Sequence, residues 1–242
     1  MDEATRRAYL DAMGVTVWVP RGAPGVSPGG DAEAAAKAPE TPVPEPLPVE
    51  PGATDEVASM DRDTLHQAIL GCTACGLCET RTQAVPGVGS TTADLLVIGE
   101  APGQEEDRRG EPFVGRAGQL LDRMLAAIGL DRQTVYITNV LKCRPPNNRD
   151  PRADEVQACA AYLRRQIELI DPKAILSVGR ISAQSLLESD QTVGRLREQW
   201  HRFGPNGTPL RVTYHPAYLL RSPGQKRKSW DDLKAVRALL AD

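Results

Sequence analysis

Short apolar runs alternating with helix-spaced segments organise the chain. Leu95-Leu96-Val97-Ile98 is continuously apolar, the pattern of a strand buried on both faces. Val135–Val140, Lys173–Val178 and Leu210–Tyr214 read as three further strands. Between them the period lengthens. Asp61–Leu70 suits a helix, and Leu120, Leu121, Met124, Leu125 and Ile128 recur at helical spacing. Arg116–Ile128 is therefore predicted as a helix with Gly129 as its C-cap. Arg152–Ile170 is predicted as a long helix, entered through Asp150-Pro151 as N-cap and first residue. A helix follows the third strand through Leu187, and Ser229–Leu240 closes the chain, with Ser229 and Asp232 spaced as a capping box. Strands alternating with helices imply an α/β fold whose largely parallel sheet is covered on both faces.

The first fifty residues break this rhythm. Residues 2–13 suit a short helix stopped by Gly14, and Val15–Val19 has strand character. Residues 20–51 hold nine prolines among Ala, Gly and Glu, a composition that buries too little apolar surface to offset the entropy of ordering. The expected organisation is an N-terminal segment (1–19), a disordered Pro/Ala-rich linker (20–55) and one main domain (56–242). In 242 residues, 40% hydrophobic and 25% charged content fit a globular protein. No apolar run approaches the roughly 20 residues of a membrane span, and the charged opening MDEATRRAYL shows no secretory signal. A cytoplasmic protein without a membrane partner is expected.

Net charge is −3, which argues at first against a nucleic-acid partner. The distribution changes that. Residues 1–55 carry nine acids and four bases, whereas the remainder has 25 bases against 23 acids. Bases gather in the C-terminal third, at Arg195, Arg197, Arg202, Arg211, Arg221, Lys226, Arg227 and Lys228. A local basic surface is compatible with the sequence; a strongly basic protein is not.

Two stretches carry candidate chemistry. Leu95–Asp107 ends its strand at Gly99 and opens into a turn with Pro102, Gly103 and the acids Glu100, Glu105, Glu106 and Asp107, where α/β sheets commonly build sites; solvated carboxylates at a strand exit are the plain alternative. Thr213–Arg221 places His215 at the end of another strand. The cysteines add a third feature. Cys72-x2-Cys75 is a chelating knuckle, Cys143 and Cys159 stand further along, and Cys78 forms a second C-x2-C step with Cys75. Spacing leaves three readings open: structural zinc, an iron–sulfur cluster, or unrelated buried thiols.

Four motifs, GEAPGQEED (99–107), EPFVGRAGQLL (111–121), ITNVLKCRPPNNRDP (137–151) and YHPAYLLR (214–221), closely resemble the family 4 uracil-DNA glycosylases from about Leu70 to Leu240. The resemblance implies a three-layer α/β/α fold around a four-stranded parallel sheet. It implies a structural [4Fe-4S] cluster on Cys72, Cys75, Cys143 and Cys159, with Cys78 a bystander, and a hydrolase that cuts the N-glycosidic bond of uracil in single- or double-stranded DNA. A flipped base must then be stacked and read. The resemblance puts Phe113 on the uracil face and Glu100, Ala101, Pro102 and Gly103 around the base, with main-chain donors from that turn. Asn139 offers an amide, donor and acceptor together, that suits the N3–H and O4 edge of uracil; cytosine presents the opposite pattern, so an amide fixed in that orientation would reject it. His215 is expected to donate to uracil O2 as negative charge develops. Leu219, Leu220 and Arg221 are expected to wedge into the space the base leaves.

The better-known uracil-DNA glycosylases carry a catalytic Asp where this chain has Ala101, so the assisting carboxylate is sought among Glu100, Glu106 and Asp107, with Glu106 favoured near uracil C5. A covalently trapping relative is disfavoured because Lys142–Asn148 contains no histidine. A non-catalytic uracil-DNA binder and an iron–sulfur electron carrier are the other readings, the last weakened because GEAPG is not GxGxxG. A nucleoid-associated monomer is expected, with residues 1–55 available to a repair or replication partner.

Overall fold

A computed structural model of the chain describes residues 52–241. The expected helix 2–13, strand 15–19 and nearly all of the linker lie outside the described residues. The helices are α1 (Gly52–Ser59), α2 (Arg62–Leu70), α3 (Gln104–Arg109), α4 (Arg116–Ala126), α5 (Ala153–Ile170), α6 (Arg180–Leu187), α7 (Val193–Leu196), α8 (Pro216–Arg221) and α9 (Lys226–Ala241). The strands are β1 (Val88–Gly89), β2 (Leu95–Gly99), β3 (Tyr136–Asn139), β4 (Ala174–Val178), β5 (Trp200–Phe203) and β6 (Thr208–Thr213), in the order β1-β3-β2-β4-β6-β5. The four inner strands are parallel, as expected. Two short antiparallel edge strands, β1 on β3 and β5 on β6, extend the sheet to six.

Strand β2 shows why its sequence does not alternate. Successive side chains point to opposite faces, and both faces are covered. Leu95 and Val97 join Leu121 and Leu125 of α4, Leu219 of α8, and Leu233 and Val236 of α9 in one core. Leu96 and Ile98 join Leu163 and Ile167 of α5, Ala183 and Leu186 of α6, and Leu196 of α7 in the other. Three layers result. Helices α1 and α2 lie outside this frame, with Val57, Leu65 and Ile69 packed near Tyr162 and Leu169 of α5.

Several predicted boundaries move for local reasons. Helix α1 starts at Gly52, ahead of the expected domain start at 56. Helix α5 is capped at Arg152, whose N–H donates to the Glu155 carboxylate at 2.8 Å, so Pro151 stands outside the helix rather than at its first position. Helix α9 begins at Lys226, which removes the capping role expected of Ser229 and Asp232. Both are buried, and the Asp232 carboxylate instead accepts from Arg197 at 2.9 Å, Arg211 at 3.1 Å and Thr213 at 2.9 Å. A buried carboxylate is tolerated when charge and hydrogen bonds surround it in this way. It ties α9 to β6 and to the segment after α7.

Candidate active site

The carboxyl ends of the four parallel strands open into one cleft of about 690 Å³. Strand β2 delivers Glu100–Gly103, β3 ends at Asn139, β4 leads to Gly179 and Arg180, and β6 leads to Tyr214 and His215. This is the edge of an open α/β sheet at which ligands bind. The two strand-end motifs read from the sequence therefore face the same space.

Gly99 sets a close approach beside two cleft residues. It pairs with Asn139 across β2 and β3. A Cβ on Gly99 would lie 2.4 Å from Asn139 Oδ1 and 2.6 Å from Phe113 Cζ, so only glycine lets the amide and the ring meet there. Asn139 is 2% exposed and Phe113 6% exposed. Phe113 adopts φ 54°, unusual for a bulky residue. The conformation is held from both sides of the residue. Arg132 donates to the carbonyls of Pro112 at 2.6 Å and Phe113 at 3.1 Å. Glu106 Oε1 accepts from the N–H groups of Val114 at 2.9 Å and Gly115 at 3.1 Å. Such backbone strain survives where neighbours over-determine it.

The acidic stretch divides by role. It forms a helix, α3, rather than a loop, with Glu105, Glu106 and Asp107 in the first turn, where the helix dipole favours them. Glu106 lines the cleft, yet besides Val114 and Gly115 its Oε2 accepts from Gly103 N–H at 3.2 Å. Its carboxylate thus joins the Glu100–Gly103 turn to the Phe113 loop. Asp107 is buried away from the cleft and accepts from the N–H groups of Thr82 at 2.9 Å and Gln83 at 3.4 Å, which removes it as a candidate assisting carboxylate. Glu100 is the remaining acid on the cleft wall. Burial pushes its carboxyl up, Asp150 adds to this, and Arg180 opposes it.

His215 is the N-cap of α8. Its Nδ1 accepts from Ala217 N–H at 3.1 Å, which leaves the ring proton on Nε2. Burial pushes its pKa down to about 4, with the Arg221 charge adding to the shift and Glu106 opposing it. The ring is therefore a neutral donor at physiological pH. It lies 5.7 Å from the Phe113 ring, with 29° between the planes. A Cβ on Gly179, whose φ is 100°, would come within 3.0 Å of His215 Cβ, so glycine makes room for the imidazole there.

The segment after His215 is helical, and this changes the expected wedge. Pro216 at the first position of α8 turns Leu219 into the core, where it is 1% exposed beside α4 and α9 residues. Leu219 is therefore a packing residue and not part of a wedge. Leu220 is 38% exposed, and Arg221 lines the cleft.

Sequence reasoning missed part of the wall, including Arg149, Gly179, Arg180, Tyr214 and Tyr218. Tyr214 and Tyr218 pack with ring centroids 5.1 Å apart. Arg149 is held by the fully buried Glu155, its Nη1 donating at 2.9 Å. The Val178-Gly179 step at the end of β4 repeats the Ile98-Gly99 step of β2, and that repetition was the available signal.

The cysteines lie behind the cleft wall. Cys143 and Cys159 form an apolar cluster with Leu77 and Leu141, against which Cys75, Ala101 and Tyr162 pack. Arg81 donates both to Cys143 Sγ and to the carbonyl of Leu70, two residues before Cys72, so the four thiols share one locality. Burial raises the Cys75 and Cys143 thiols and takes Cys159 to about 11. Donors surround the sulfurs. Arg81 reaches Cys143 Sγ at 2.8 Å, Lys142 N–H reaches Cys159 Sγ at 3.4 Å, and Ala74 N–H reaches Cys72 Sγ at 3.5 Å. Among the described residues, no three Cys, His, Asp or Glu side chains group as ligands of a single metal ion. No described helix is long and apolar enough to cross a membrane.

The family model described as "Uracil DNA glycosylase superfamily" matches residues 86–239. The chain is 45% identical over 183 residues to a type-4 uracil-DNA glycosylase of Archaeoglobus fulgidus, covering 73% of this chain and 92% of that one. It is 40% identical over 184 residues to a type-4 uracil-DNA glycosylase of Thermotoga maritima, covering 74% and 94%. Similarity to a type-5 uracil-DNA glycosylase of Pyrobaculum aerophilum is lower, at 30% over 156 residues, covering 58% and 69%.

Proposed function

The chain belongs to the uracil DNA glycosylase superfamily, and from that membership we propose how its residues perform the reaction. It is a DNA-repair glycosylase that excises uracil by hydrolysing the N-glycosidic bond. The observation that carries the assignment of roles is the meeting of Phe113, Asn139 and a neutral His215 at the strand ends of one cleft. A uracil flipped from the stack lies against Phe113. The Asn139 amide accepts from N3–H and donates to O4, a pairing that cytosine cannot make. As the bond breaks, negative charge gathers on uracil O2, where His215 Nε2–H donates. Backbone N–H groups of the Glu100–Gly103 turn add further donors, preorganised for the developing charge. Glu100 supplies the assisting carboxylate, because it lines the cleft while Glu106 is engaged by three backbone N–H groups and positions the turn and Phe113. Leu220 and Arg221 occupy the gap left in the DNA.

Cys72, Cys75, Cys143 and Cys159 suit a [4Fe-4S] cluster, whose cysteines each hold a different iron and need not converge on one point. Sulfur atoms that accept N–H donors within an apolar wall fit such a group. Bound there, the group would serve the fold by joining the segment after α2 and the loop after β3 to α5.

The reading is tested by single-turnover excision on uracil-containing single- and double-stranded oligonucleotides, with a thymine control. Release of free uracil, leaving an abasic site and untouched thymine, is expected. Tight binding without release would overturn it.

A further inference from the structure

Lys142 is a charged group that the reaction does not use. Its side chain is 1% exposed, and an ammonium ion leaves water at high cost unless its hydrogen bonds and charge are both met. Its hydrogen bonds are met in full. Nζ donates to Asn139 O at 2.7 Å, Thr138 Oγ1 at 2.7 Å and Gln166 Oε1 at 2.6 Å. Three donations to three acceptors are the complete set of an –NH₃⁺ group. Two of the acceptors are themselves fixed, because Thr138 Oγ1 and Gln166 Nε2 each donate to Pro86 O at 2.8 Å.

Its charge is met differently. Among the described residues no carboxylate forms an ion pair with Lys142, and the next residue in the chain is Cys143. Its own backbone N–H also donates to Cys159 Sγ. One residue therefore faces the cysteine locality on one side and grips the carbonyl of the base-reading residue on the other.

We propose that Lys142 is a positioning residue that couples the cysteine locality to base readout. Its ammonium is the internal counter-charge to the thiolates when they hold their metal group, and its bond to the Asn139 carbonyl fixes the strand end from which the Asn139 amide projects. Removing the charge leaves thiolate charge uncompensated inside an apolar cluster. Removing the donor frees the end of β3, where Asn139 must keep its place beside Gly99. The second half rests on the glycosylase reading; the first does not.

The test uses iron-loaded protein and two readouts besides excision: the midpoint potential of the cluster, followed by electron paramagnetic resonance, and inhibition by free uracil. Reduction adds negative charge that a nearby cation stabilises, so Lys142→Met is expected to lower the potential. It is also expected to weaken uracil inhibition about tenfold, the scale of one lost hydrogen bond. Gln166→Glu keeps the ammonium and its bond to Asn139 but sets a carboxylate against the charge. It is expected to lower the potential and leave uracil inhibition unchanged. An unchanged potential in both variants overturns the counter-charge. Normal uracil inhibition in Lys142→Met, with a lowered potential, overturns the coupling to readout. If Lys142→Met does not accumulate, Gln166→Glu decides alone, and an unchanged potential overturns the proposal. Failure of the glycosylase reading shows separately, as absent excision by the unsubstituted protein.

Discussion

The two loops that close the cleft, one after β2 and one after β6, divide the work in a way their charges do not suggest. The first is crowded with acids, yet Glu106 accepts from three backbone N–H groups and Asp107 from two. Half of the four acids are thus engaged in holding the fold, and in the proposed reaction the turn acts through its backbone. The second loop holds no acid between Tyr214 and Arg221 but carries the tuned group, a histidine kept neutral by burial. A cluster of carboxylates marks a site only after its hydrogen-bond partners have been counted.

Variants of the two loops test this division. His215→Ala is expected to reduce single-turnover excision by ~10²-fold or more, the scale of one lost transition-state donor. A near-normal rate would erase the contrast between the loops. Within α8, Leu219→Ala is expected to destabilise the fold by ~2–5 kcal/mol, as for a core leucine. Leu220→Ala should leave stability unchanged and slow excision in duplex more than in single-stranded DNA. Denaturant midpoints and paired substrates separate the two, and equal stabilities would return Leu219 to the DNA face.

Glu106→Gln is expected to lower stability by ~1–3 kcal/mol, because buried N–H groups lose part of their acceptor. Its excision rate should stay within about tenfold of normal. A loss as deep as that of His215→Ala would make Glu106 a reacting group and reverse the comparison.

One further effect concerns pH. The pKa of His215 is about 4 in the folded protein against 6.5 as its ordinary value, so between these values the unfolded chain binds the proton and the folded one does not. Stability should therefore fall as pH drops from about 6.5 towards 4. In His215→Ala that component of the slope, read from urea unfolding across this range, should vanish.

Much of this arrangement was legible in the sequence, and the exceptions have physical causes. A continuous apolar run marked β2, because helices cover both of its faces, and β3, β4 and β6 were marked by their β-branched and apolar residues. Strand β1 spans only two residues and the exposed edge strand β5 four, too few to show a period. Helix α3 hid among its own acids, although their place in a first turn and Gly110 as the left-handed cap were its markers. For α8, Pro216 was the marker, and counting from it turns Leu219 inward and Leu220 outward. The roles of Asp232 and Lys142 had no local signal. Asp232 meets Arg197 across 35 positions, and Lys142 meets Gln166 across 24.

The strained backbone at Phe113, clamped by Arg132 and Glu106, bears on how the enzyme searches DNA. A ring locked at folding needs no ordering when a base arrives. Each brief encounter along the duplex then samples a finished surface. A wrong base then leaves without this ring having to give up an order it acquired on binding.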